Sequence, residues 1–161
     1  MRLRLVAMAL AAAAGLGAAP TQAVQTAPLG IGRTASAADV AAWDVDVTRD
    51  GTGLPAGSGT ASDGARIFAA QCARCHAGGS GLARIRTSWP YATSLFDYIR
   101  RAMPPNRAKP LAAGEVYALT AYILLKSRVL QENASLDART LPAIAMPGKA
   151  AFRDAGGAPL P

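Results

Sequence analysis

The chain is poor in nearly everything that an elaborate metal site or a disulfide scaffold requires. Its 161 residues include two Cys and one His. A multi-disulfide framework is therefore excluded, and so is a four-ligand Cys/His zinc site. Aromatic residues are scarce at 6%, and although 51% of the chain is hydrophobic, Ala inflates that figure. Large side chains alone give a thin core, and such a chain gains from a bound group to pack around. No apolar run reaches the ~20 residues that a bilayer core demands. Acidic residues are the minority charge, 10 against 17 basic, for a net +7. The length accommodates one compact domain.

What is present falls into four stretches. Met1-Arg-Leu-Arg4 is a short basic start, followed by an apolar run from Leu5 to Ala19 and small residues at Thr21-Gln-Ala23. This is the pattern of a signal peptide over residues 1–23, cleaved after Ala23, and it directs the mature chain to the periplasm. The alternative is an uncleaved anchor, against which the shortness of the run argues. Residues 24–60 read as an extended arm without sustained helical period. Within it Trp43-Asp-Val-Asp-Val47 alternates like a half-buried extended segment, and Arg49 to Thr60 is dense in turn formers.

Helical spacing begins near Ser62, a plausible N-cap, with Ala65, Phe68, Ala69, Cys72 and Cys75 three or four apart. Gly78-Gly79 should stop this helix just after His76. A second helix is predicted from Ser94, with Asp97 completing a capping box, to the residues before Pro104-Pro105. A third is predicted from Glu115 to about Val129, with Val116, Leu119, Tyr122 and Ile123 on one face. The fold class is thus all-α over a domain of residues 61–130, with 131–161 as a tail that wraps the surface.

Cys72-Ala-Arg-Cys75-His76 gathers both thiols and the one imidazole into a single motif. It is the attachment pattern for a c-type haem. Two thiols one helical turn apart can each join a vinyl group on one porphyrin edge, and the adjacent imidazole is placed to bind the iron. A thioredoxin-like redox pair would need a preceding strand and a βαβ context, and a Cys72–Cys75 disulfide would leave His76 unexplained. Unless the haem is a reactive one with an open position, a sixth iron ligand comes from Met103 or Met146, since Met1 and Met8 belong to the signal peptide. Met103, just before Pro104-Pro105 where the chain leaves helical geometry, is the favoured thioether. Met146, an open position, or Met side chains acting as plain core are the alternatives.

These residues resemble a class I cytochrome c over about Ala61 to Val129. The resemblance is carried by Gly64-x-x-x-Phe68, the haem motif, Met103-Pro104 and the Leu119/Tyr122/Ile123 face. It implies one covalent haem c held by Cys72, Cys75, His76 and Met103, no catalytic residues, and a tight crossing in which the last helix packs on Gly64. Trp89-Pro-Tyr-Ala-Thr93, Leu95 to Pro104 and Glu115 to Tyr122 are similar to the cytochrome subunits of bacterial molybdenum sulfite and sulfane dehydrogenases. That likeness implies electron transfer rather than catalysis, in sulfur-compound oxidation, with a larger molybdenum subunit as partner and a downstream cytochrome or oxidase as acceptor. A free electron shuttle and a haem enzyme or gas sensor with a labile sixth ligand are the competing readings.

Charge is unevenly spread. Between Arg66 and Lys109 eight basic residues face one acidic residue, Asp97. Arg74, Arg84, Arg86, Arg100, Arg101, Arg107 and Lys109 form a patch suited to an acidic redox partner, with Arg84 or Arg86 as first choices for haem propionates. Trp89, Tyr91 and Tyr98 are read as core, with bonding to propionates or lining of the haem crevice as the alternative. Nucleic acid is a poor partner for an exported haem protein.

Overall fold

The computed structural model describes residues 30–76, 80–105 and 111–161. The signal segment 1–23, the Gly78-Gly79 stop, Arg107 and Lys109 lie outside the described residues. The chain divides into two compact units, Met1–Ala35 and Ser36–Pro161. Of the first, only 30–35 are described, an exposed irregular stretch. The second carries every element below.

It opens with a short helix, α1 (Ala37–Trp43), inside the stretch expected to lack one. The Ser36 hydroxyl accepts the Asp39 N–H at 3.2 Å while the Asp39 carboxylate accepts the Ser36 N–H at 2.8 Å. This reciprocal cap at the front of an Ala-rich run is enough to start a turn. Trp43 ends the helix and stands 86% exposed, so the expected alternation survives only in the next four residues, where Val45 and Val47 are half-buried between exposed aspartates.

Strand β1 (Ser58–Thr60) pairs antiparallel with β2 (Ser135–Asp137), Gly59 facing Leu136. Helix α2 (Ala61–Gln71) follows directly. Its cap is Thr60, not Ser62: the Thr60 hydroxyl accepts the Asp63 N–H at 3.1 Å and donates to the Asp63 carboxylate at 2.7 Å. Ala61, Gly64 and Phe68 form its buried stripe. The helix breaks at Cys72 and resumes as one turn, α3 (Ala73–His76).

Helix α4 (Ser80–Ser88) was not foreseen. Helix α5 (Ala92–Ala102) begins two residues before the expected Ser94, with Tyr91 at the cap position making no side-chain cap bond. Asp97 serves elsewhere, as described below. The helix stops before Pro104, as expected from a residue that has no N–H to donate. Helix α6 (Ala113–Lys126) is buried nearly all round, from Val116 to Ala121 and at Ile123 and Leu124. Such a helix belongs at the centre of a fold. Glu115 supplies half a capping box by accepting the Ala112 N–H at 2.8 Å. Arg128, at φ 58°, turns the chain out of the helix.

α2 crosses α6 closely. A Cβ at Gly64 would lie 1.9 Å from the Ala118 carbonyl oxygen and 2.7 Å from Tyr122 Cβ. Phe96 of α5 meets Tyr117 of α6 at 4.5 Å between ring centroids, and the Tyr117 hydroxyl donates to the Pro55 carbonyl at 2.9 Å. Burial pushes the Tyr117 phenol upward in pKa. The tail does more than wrap: Leu136, Leu141 and Met146 are core residues. Its short 3-10 helix, Pro147–Ala151, lays Gly148 so closely on Thr87 of α4 that a Cβ there would sit 2.6 Å from the Thr87 carbonyl oxygen. The tail's apolar residues are single and separated by turns, which leaves no period to read.

Candidate functional site

Between α2–α3, α4, α5 and α6 lies a cavity of about 250 Å³. Cys72, Cys75 and His76 line one side of it, and Met103 with Pro104 and Pro105 lines another. Leu82 and Ile85 of α4, Leu95 and Ile99 of α5, and Leu119 and Ile123 of α6 make the rest of the wall apolar. Cys75 and His76 are exposed, so the cavity opens to solvent along that edge.

Local folding explains each placement. The Cys75 and His76 N–H groups both return to the Cys72 carbonyl, at 3.1 and 3.0 Å, which winds the motif into a single turn. Phe68, one turn back, sits 5.2 Å from the Tyr122 ring and 6.4 Å from the His76 ring, bracing the imidazole against α6. Met103 occupies the C-cap of α5, where its N–H still bonds the Ile99 carbonyl at 3.1 Å. The two cysteines are not joined in a disulfide. Ser127, fully buried, fixes α4 over the cavity: its hydroxyl lies 2.7 Å from the Leu82 carbonyl and 2.6 Å from the Ile123 carbonyl, one proton serving both.

Two thiols, an imidazole and a thioether on the walls of one apolar cleft fit a c-type haem, whose vinyl groups the thiols would bind and whose iron the imidazole and thioether would ligate. Among the described residues no group of three His, Cys, Asp or Glu offers an alternative metal site. The structure separates the two candidate thioethers. Met146 is 5% exposed, packs in the core, and borders a different cleft beside Arg49 and Tyr91.

Several sequence expectations shift here. Trp89 packs against the core and also lines the cavity; Tyr98, 46% exposed, lines the cavity beside it with the rings 5.6 Å apart, so for these two the crevice alternative holds. Tyr91 donates its hydroxyl to the Pro161 carbonyl at 2.9 Å. Arg84 and Arg86 ride on α4, whose cavity-facing residues are Leu82 and Ile85. Arg100 and Arg101 are held by the arm: Arg100 donates to the Val45 carbonyl at 3.2 Å, and Arg101 pairs with Asp46 at 2.9 Å and with Asp97. The α4 wall was missed altogether. Leu82, Ile85 and Trp89 stand at i, i+3 and i+7, a signal hidden by the glycines before it.

Comparison with known proteins follows the same line. The family model described as cytochrome c oxidase, cbb3-type, subunit III matches residues 59–123. No curated protein sequence matches the chain. Among solved structures, the chain is similar to one in the crystal structure of the sulfane dehydrogenase SoxCD from Paracoccus pantotrophus. The TM-score is 0.68 at 31% identity, over 79% of this chain and 72% of that one. Among the described residues no helix is long and apolar enough to cross a membrane. The matched segment spans the haem motif, the cavity and most of α6, and on that ground the chain belongs to the haem-binding, electron-transferring c-type cytochromes and resembles a chain of that sulfane dehydrogenase.

Proposed function

We propose that this chain carries one haem, tied by thioether links to Cys72 and Cys75 and ligated by His76 and Met103. It works in the periplasm as the electron-accepting subunit or partner of a molybdenum enzyme that oxidises sulfite or sulfane sulfur. The observation that carries this reading is the convergence of those four side chains on one apolar cavity. The haem supplies a one-electron iron couple, whose potential a soft thioether raises. The chain's own residues give that couple its surroundings. Leu95, Ile99, Leu119 and Ile123 keep water from the inner wall, and Phe68 holds the imidazole in place. With an imidazole and a thioether both committed to the iron, no position is left for a substrate. The partner therefore performs the chemistry and this chain moves the electron. The solved relative supports the choice of partner, and the basic start followed by an apolar run at residues 1–23 supports export.

The test is purification of the native complex from the producing cells. Recovery of the chain with a larger molybdenum-containing subunit, which reduces it when sulfite or a sulfane donor is added, is the expected result. A chain recovered alone, with no effect on the rate of any such enzyme, would instead make it a free shuttle to an oxidase. Carbon monoxide separates both from a sensor or haem enzyme: the reduced wild-type protein should resist it, and Met103→Ala should bind it readily.

A further inference from the structure

α5 is gripped from outside by the arm, and the grip is nearly all side chain to backbone. Thr93, 1% exposed, donates its hydroxyl to the Arg49 carbonyl at 3.3 Å. Asp97, 8% exposed, accepts the Val47 N–H at 3.2 Å and the Arg101 guanidinium. Arg100 donates to the Val45 carbonyl at 3.2 Å, and Arg101 reaches Asp46 at 2.9 Å. Residues 93, 97, 100 and 101 fall at i, i+4, i+7 and i+8, a single polar stripe along the helix. Leu95, Tyr98 and Ile99 of the same helix line the cavity, and Met103 caps its C-terminal end. The arm thus lies along one side of the helix whose other side and end bear on the cavity.

We infer that the arm segment 45–49 is a brace for the sixth ligand, and that Asp97 is a positioning residue which keeps Met103 on the iron by holding α5 against that segment. The inference rests on the proposed Met103 ligation. The carboxylate matters because it is nearly buried and joins two partners at once, a backbone N–H of the arm and a guanidinium of its own helix. Hydrogen bonds to a charged group are stronger than neutral ones, and an N–H left unpaired in a buried place costs free energy as well. Without the carboxylate the last turns of α5 are freer to move away from the cavity, and the thioether leaves more often.

The experiment follows displacement of the thioether from the ferric holoprotein by imidazole, monitored through the weak red-edge charge-transfer band of a sulfur–ferric iron bond. In wild type the displacement should be slow and limited by departure of the sulfur. Asp97→Ala should accelerate it about tenfold or more, the effect of losing one hydrogen bond to a charged group. Asp97→Asn, whose amide oxygen can still accept the Val47 N–H, should recover most of the wild-type rate. Val47→Pro removes that N–H without altering α5 and should match Asp97→Ala, which keeps the test open if Asp97→Ala does not fold. Leu141→Ala, a core truncation that leaves every hydrogen bond of the brace in place, should lower the unfolding midpoint without matching the acceleration. Wild-type rates in both Asp97→Ala and Val47→Pro, or an equal acceleration in Leu141→Ala, would overturn the brace. Wild type that lacks the band and binds imidazole as fast as Met103→Ala would overturn the ligand assignment, a distinct result.

Discussion

At the scale of single residues, two methionines with the same following proline have opposite surroundings. Met103 is half-buried on the cavity wall; Met146 is sealed in the core beneath the tail. Met103→Ala is expected to lower the reduction potential and abolish the red-edge band, with little loss of fold. Met146→Ala is expected to leave potential and band alone and to cost about 2–5 kcal/mol, the usual range for emptying a buried methionine site. Redox titration beside urea unfolding checks both. Gly64 makes a third case. The atoms that a Cβ would strike include the Ala118 backbone at 1.9 Å, which cannot swing aside as a side-chain tip can. Gly64→Ala should therefore push α2 off α6, costing on the order of 3 kcal/mol, at the upper end for an inserted methyl group. A midpoint shift under 1 M urea, for a typical slope of ~1–3 kcal/mol per M, would show that the crossing is softer than its geometry indicates.

At the scale of elements, starts and stops depend on short polar contacts. Replacing Thr60 by Ala should destabilise by about 1 kcal/mol, as N-cap truncations do, and loosen the junction of β1 with α2. The same contacts predict acid sensitivity. The Thr60 hydroxyl, then Arg66, holds the Asp63 carboxyl below its ordinary range. Thr140 does this for Asp137 at the end of β2, and Thr48 lowers Asp50 to about 2. Each depressed group binds fewer protons folded than unfolded, so its stabilisation is full above the ordinary aspartate range and disappears as pH falls through the folded value. Melting temperature should decline from about pH 4 toward pH 2, and Asp137→Asn should flatten that decline. The legibility of elements followed the same physics. α6 was readable as a long apolar run free of Gly and Pro after Glu115, and α2 from its stripe, as was the stop at Pro104. α1 and α4 are short and begin at sites without a strong hydrophobic period, while the start of α5 lacks a side-chain cap altogether. The haem motif was legible because both Cys and the one His of the chain fall within it. The cavity walls were not, because Leu82 and Ile85 gain meaning only once α4 is laid over α6.

At the scale of the whole molecule, a net charge of +7, or +5 once Arg2 and Arg4 leave with residues 1–23, suggests a uniformly attractive surface for an acidic partner, and the structure divides it. Arg101 is paired with Asp46 and Asp97, Arg100 with the Val45 carbonyl, and Arg66 with Asp63. Arg74, inside the haem motif, and Arg84 on α4 are exposed and make no ion pair among the described residues. A guanidinium beside a carboxylate presents little field at a distance, whereas an unneutralised one attracts an approaching partner over roughly a Debye length, ~10 Å at 0.1 M salt. Association with an acidic redox partner should therefore slow as salt rises. The double variant Arg74→Gln/Arg84→Gln should lower the low-salt association rate on the order of tenfold and flatten its salt dependence. Arg101→Gln changes the formal charge too, but on the side of α5 that faces the arm and not at the haem motif or on α4, so screening should leave the rate within about twofold of wild type. Stopped-flow mixing over a range of ionic strength tests the contrast. Slowing by Arg101→Gln of about threefold, half the double variant's effect on a logarithmic scale, would mean that the partner responds to the total charge and not to the cations left exposed around the haem motif and on α4.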